Sequence, residues 1–203
     1  MIINKFDEST SEKKFRNPEP GSYVARLFSI VDIGHQQTTW NGNTKIQHKI
    51  LFNWELFGED SNGPLEIQGK PLTVFKKYTL SNHPESPLMA DLKAWGGKEV
   101  PLPLDLNSVL GTYSLVNIVH NEYQGKTYAN IANMVQVPKM MQLNVPAGVN
   151  ELFIYETVKH PLNFDKVWPW QQKMIADSSE YRGTAAAKQA KANDDMPDDI
   201  PFN

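Results

Sequence analysis

Large aromatic residues and cations are interleaved along the first two thirds of the chain. The set comprises Arg26, Trp40, Lys49 with Phe52 and Trp54, the run Phe75-Lys76-Lys77-Tyr78, and Tyr123, Lys126 and Tyr128. A cationic groove lined by aromatic faces suits an unpaired nucleic-acid strand: the cations neutralise phosphates, and stacking contributes about 1–3 kcal/mol per base. Each residue has a second reading. Phe52, Trp54 and Phe75 fall in strand patterns that also build cores, and Tyr78 and Tyr128 are balanced between the two roles. Trp40 and Tyr123 lie in polar loops, where no core accounts for a large ring. Arg26 interrupts an apolar run and can equally pair with an acidic neighbour. Lys76 and Lys77 point to opposite faces of a strand, so one of the two reaches a groove.

Other chemistries find less support. None of the five histidines, His35, His48, His83, His120 and His160, forms a metal-ligand spacing with another histidine or a carboxylate, and the chain has no cysteine. No serine stands in a Gly-x-Ser-x-Gly elbow, and no phosphate-binding glycine loop occurs. Asp32 and Glu55 are distant in sequence and read as strand-end or surface residues. The expectation is a non-catalytic protein with no cofactor and no metal.

The elements that must position the aromatic and basic residues follow from periodicity. Residues 22–34 are apolar on both faces, a buried strand. Residues 35–45 form a polar loop with an Asn-Gly turn. Ile46, His48, Ile50, Phe52, Trp54 and Leu56 then alternate with polar residues, a long strand with one wet face. Residues 70–80 make a third strand, and Ser86-Pro87 opens a helix that Gly96 can end. Residues 112–120 and 126–137 flank a short glycine-containing turn and read as a hairpin. Three strands, a helix and two strands is the order of a five-stranded OB-fold barrel with its helix between strands 3 and 4. Residues 151–158 can add a strand. Residues 165–182 suit a C-terminal helical extension, with Trp168, Trp170 and Ile175 packing back on the barrel.

With 203 residues, 40% of them hydrophobic and 21% charged, the chain is sized for one folded domain with extensions. The expected division is a flexible lead-in over 1–20, a binding domain over 21–182 and a disordered acidic tail over 183–203. No apolar run is long enough for a membrane span, and the first residues do not resemble a secretion signal. Together with the absence of cysteine, this leads to a cytoplasmic expectation. Net charge is −3, but Asp194, Asp195, Asp198 and Asp199 belong to the tail, and without them the body is close to neutral. A basic binding surface must therefore come from local clustering.

The tail ends Asp198-Asp199-Ile200-Pro201-Phe202-Asn203. This resembles the acidic tip of bacterial single-stranded DNA-binding proteins, which docks on replication, recombination and repair proteins with its apolar residues in a pocket and its acids at a basic rim. The body instead resembles a family of bacteriophage single-stranded DNA-binding proteins with one OB-fold. That likeness rests on GSYVARLFSIVDIG, YTLS, LMADLKAWGGK, YANIANMVQVPK and WPWQQKMIADSSEYR, and spans roughly residues 18–182. In the bacterial tip the phenylalanine is the last residue; here Asn203 follows it and displaces the terminal carboxylate.

The resemblance implies a non-catalytic protein that binds single-stranded DNA with little sequence preference in phage DNA replication and recombination, within the bacterial cytoplasm. No heptad or exposed apolar strip argues for an assembly, so a monomer is expected. Backbone neutralisation is expected from Arg26, Lys49, Lys76, Lys77 and Lys126. Stacking is expected from some of Trp40, Phe52, Trp54, Tyr78, Tyr123 and Tyr128, and partner recruitment from Asp198 to Phe202. The alternatives are an OB-fold protein-interaction module, a protein that also holds duplex DNA by its backbone, and a metal-dependent nuclease.

Overall fold

The computed structural model describes residues 16–142 and 145–182. The protein is mainly β. Its principal strands are β1 (Gly21–Trp40), β2 (Asn43–Phe57), β3 (Thr73–Thr79), β4 (Tyr113–Tyr123), β5 (Lys126–Val135) and β6 (Phe153–Tyr155), with helices α1 (Pro87–Gly96), α2 (Lys139–Gln142) and α3 (Pro169–Ala176). The antiparallel sheet runs β3-β2-β1-β4-β5, and β6 adds to β1 in parallel. Two two-residue ladders, within residues 59–64 and 66–71, decorate the β2–β3 connection. No backbone ladder joins β3 to β5 among the described residues, so the sheet is not closed. The five-stranded OB-fold barrel expected from the strand order is met only as far as this sheet.

The first hairpin is longer than the sequence suggests. β1 does not stop at Gly34 but continues to Trp40, and the residues read as a loop pair with β2 from His35–His48 out to Trp40–Asn43. Asn41 and Gly42, with φ of 48° and 76°, supply the left-handed pair that a two-residue hairpin turn needs. Its outer half is largely exposed, Ile46 to 60%, so Ile46 does not join the core face of β2.

One core lies on the face of β2 that carries Ile50, Phe52, Trp54 and Leu56, packed with Val74 and Tyr78 of β3, Val116 and Ile118 of β4 and Ile131 of β5. α1 covers this core with Leu88, Leu92 and Trp95. Its start is capped by the Ser86 side chain, which accepts from the Met89 N–H, and Gly97 rather than Gly96 is its C-cap.

The opposite face of β2, expected to be wet, is buried. Val31, Ile33 and Leu51 form a second core with Tyr155, Val167, Met174 and Ile175 from the C-terminal segment. Phe75 packs on Trp170, ring centroids 4.7 Å apart. The polar residues there are satisfied from a distance: Asn53 Nδ2 donates to Ser29 Oγ at 2.8 Å, and Gln171 Nε2 donates to Asn53 Oδ1 at 2.8 Å. A segment more than a hundred residues downstream thus turns a polar strand face into an interior. No helix among the described residues is long and apolar enough to cross a membrane.

Candidate nucleic-acid interface

The aromatic residues of the second and third strands go to the core. Trp54 is 0%, Phe52 1% and Tyr78 2% exposed. Trp54 meets Trp95 edge-on at 4.7 Å, and Phe52 meets Tyr78 at 5.2 Å. The Tyr78 hydroxyl donates to Asp91 Oδ2 at 2.8 Å, and burial beside that carboxylate pushes the phenol far above its ordinary value. Phe52, Trp54 and Tyr78 are therefore corrected from stacking platforms to core residues, because β2 and β3 carry their apolar alternation under α1.

Two of the expected phosphate ligands are also committed internally. Lys76 Nζ lies 2.7 Å from Asp91 Oδ2 and 5.7 Å from the centre of the Tyr78 ring, tying β3 to α1. Arg26 lies on the outer side of β1 with Nε 2.5 Å from Glu55 Oε1, and its NH2 donates to the Asn150 carbonyl at 2.5 Å. Glu55, fully buried, accepts from the backbone N–H groups of Val149 and Asn150 and from Asn150 Nδ2. Gly148 passes so close that a Cβ there would lie 1.7 Å from Arg26 Cζ. This strap, not a nucleic-acid groove, explains the isolated arginine.

Lys49 and Lys77 share the other face of β2 and β3, Lys49 opposite Thr79 and Leu51 opposite Lys77. As expected, Lys76 and Lys77 point apart. Lys49 Nζ donates to Thr79 Oγ1 at 2.7 Å and Gln47 Oε1 at 2.9 Å. Burial pulls the Lys49 ammonium below the ordinary lysine value; burial and then the charge of Lys49 do the same to Lys77. Two cations held this near each other favour an incoming anion.

The second hairpin brings three predicted residues together. Tyr123 pairs directly with Lys126, and Tyr128 with Asn121, so Tyr123, Lys126 and Tyr128 share one face of β4–β5. Tyr123 is 55% exposed. Trp40 closes β1 at the end of the first hairpin, opposite Asn43; its side chain lies outside what the structure describes. Asp198, Asp199, Ile200, Pro201 and Phe202 lie outside the described residues.

Two features went unread in the sequence. His35 and His48 stack with centroids 4.7 Å apart, flanked by Glu180 on His35 Nδ1 and Asp32 on His48 Nε2. They lie thirteen positions apart in the chain, and the β1–β2 register brings them together. The second is the amide pair of β4: Asn117 and Asn121 lie on the same outward face as Tyr123, with Val119 between them.

A cleft of about 670 Å³ opens between α1 and the chain around Val145, lined by Leu92, Trp95, Val109, Tyr113 and Val137 with no charged residue. It presents no cation to a phosphate. No group of three or more histidines and carboxylates among the described residues is arranged to hold a metal ion. No protein-family model matches the chain, and the search of curated proteins finds no match.

Proposed function

We propose that this protein binds single-stranded DNA without catalysing a reaction on it, through an OB-type barrel whose exposed hairpins carry the contacts. The observation that carries this reading is the grouping of Tyr123, Lys126 and Tyr128 on one face of an exposed hairpin, two stacking rings beside a cation. The strand order and the placement of α1 between β3 and β4 support the barrel, as does the approach of β3 to β5, the two ends of the sheet. Lys49 and Lys77 provide a second cationic point near the first hairpin. In this reading the protein coats single strands in phage DNA replication and recombination in the bacterial cytoplasm, as a monomer. Its residues 198–202 recruit partner proteins.

Titration of a fluorescent oligodeoxythymidylate against a duplex of the same length tests the assignment. Tighter binding of the single strand, weakened by Tyr123→Ala, is the expected result; equal affinity for the duplex, or no binding, overturns it. The uncharged cleft beside α1 favours a second reading, a protein-interaction module, in which Tyr123→Ala leaves DNA affinity untouched.

A further inference from the structure

Resting on the single-strand reading, we infer that the outer face of β4–β5 engages the bases themselves, amides on base edges and tyrosines on base planes, with the phosphates turned outward. The register lays the residues out. Asn117 faces Asn133, Asn121 faces Tyr128, and Tyr123 faces Lys126, all on the same side of the hairpin.

The chemistry of this face is that of base recognition. Among the described residues the side-chain amides of Asn117, Asn121 and Asn133 have no hydrogen-bond partner; Asn121 and Asn133 are exposed and Asn117 is half-buried. An amide presents a donor and an acceptor in one plane, which complements a base edge such as adenine N6 and N7; it lacks the charge that a phosphate selects. Lys126 is the only cation of the two strands, too few for a surface that holds a polyanion by its phosphates alone. The only carboxylate of the two strands, Glu122, pairs with Thr127 on the reverse side, so nothing on this face repels DNA. In contrast, the face of β2 around Leu51 is covered by the C-terminal segment, which leaves the β4–β5 face, where Val119 stands among the asparagines, as the open surface of the sheet.

The test uses the full chain, a mixed-sequence single strand and a strand of the same length carrying abasic sites throughout. The abasic strand keeps every phosphate, and it is expected to bind about tenfold more weakly or worse. The triple variant Asn117→Ala, Asn121→Ala, Asn133→Ala should weaken the intact strand while leaving the abasic strand unchanged. Unchanged thermal unfolding of the variant separates this from misfolding. Equal affinity for both strands, or an intact-strand affinity that the triple variant does not alter, overturns base engagement while leaving single-strand binding in place. Failure of the intact strand to bind overturns both.

Discussion

The Glu55 carboxylate, with no exposed surface, lies 2.5 Å from the Nε of Arg26 and takes further hydrogen bonds from Val149 and Asn150. An ion pair at the centre of a sheet face, closed by a strap from the far side of the chain, is a structural joint. Removing one partner leaves a buried charge uncompensated, at a cost of about 3–5 kcal/mol. Arg26→Ala is therefore expected to lower the free energy of unfolding read from urea denaturation by that amount, without changing the DNA affinity of the folded protein. A loss of affinity at unchanged stability would place Arg26 on DNA instead.

Trp54 and Tyr123 were candidates for the same role and should separate cleanly. Trp54→Ala opens a cavity beside Trp95 and is expected to cost about 3–5 kcal/mol of stability. Tyr123→Ala removes an exposed ring and should change stability by less than about 0.5 kcal/mol, yet weaken single-strand binding by about 1–3 kcal/mol. Chemical denaturation and fluorescence titration of both variants read the two effects independently.

Gln171 reaches from α3 to Asn53, which holds Ser29, all three buried. Gln171→Leu leaves Asn53 Oδ1 without this donor and should destabilise the protein by about 1–3 kcal/mol. Hydrogen exchange would show the loss as faster exchange in α3 and β6, with α1 unaffected.

These partners explain what the sequence could and could not disclose. Ser86, Pro87 and the Asn41-Gly42 turn act on their immediate neighbours, so their roles are readable from a few residues. Glu55 and Asn53 look like the wet side of an amphipathic strand, because the groups that satisfy them lie about a hundred residues downstream. On the opposite face of the sheet, packing under α1 removes Phe52, Trp54 and Tyr78 from the candidate site. Tyr123, beside a polar turn, keeps its exposed position, and the asparagines leading to it fall on its face by simple alternation.

The C-terminal end of the described chain is tied to the first hairpin through Glu180. Burial raises its carboxyl pKa, but hydrogen bonds from the His35 side chain and backbone outweigh that and hold it at about 2, against an ordinary value of 4.5. A carboxyl lowered on folding adds stability that is fully present above its unfolded value and lost as pH falls toward the folded one. Partial exposure keeps the contribution below about 1 kcal/mol. Stability of the wild type should fall more steeply than that of Glu180→Gln between pH 4.5 and about 2 in parallel acid titrations followed by urea denaturation. Parallel curves would remove Glu180 from the linkage.

Single-strand binding itself is tested most directly by the salt dependence of oligodeoxythymidylate affinity. Neutralisation of phosphates by Lys126, Lys49 and Lys77 predicts a linear fall of log affinity with log salt, with a slope of roughly −0.7 for each phosphate contacted. The line should be displaced downward by Tyr123→Ala with its slope unchanged. An affinity that salt does not alter, or no measurable affinity at low salt, would contradict the account.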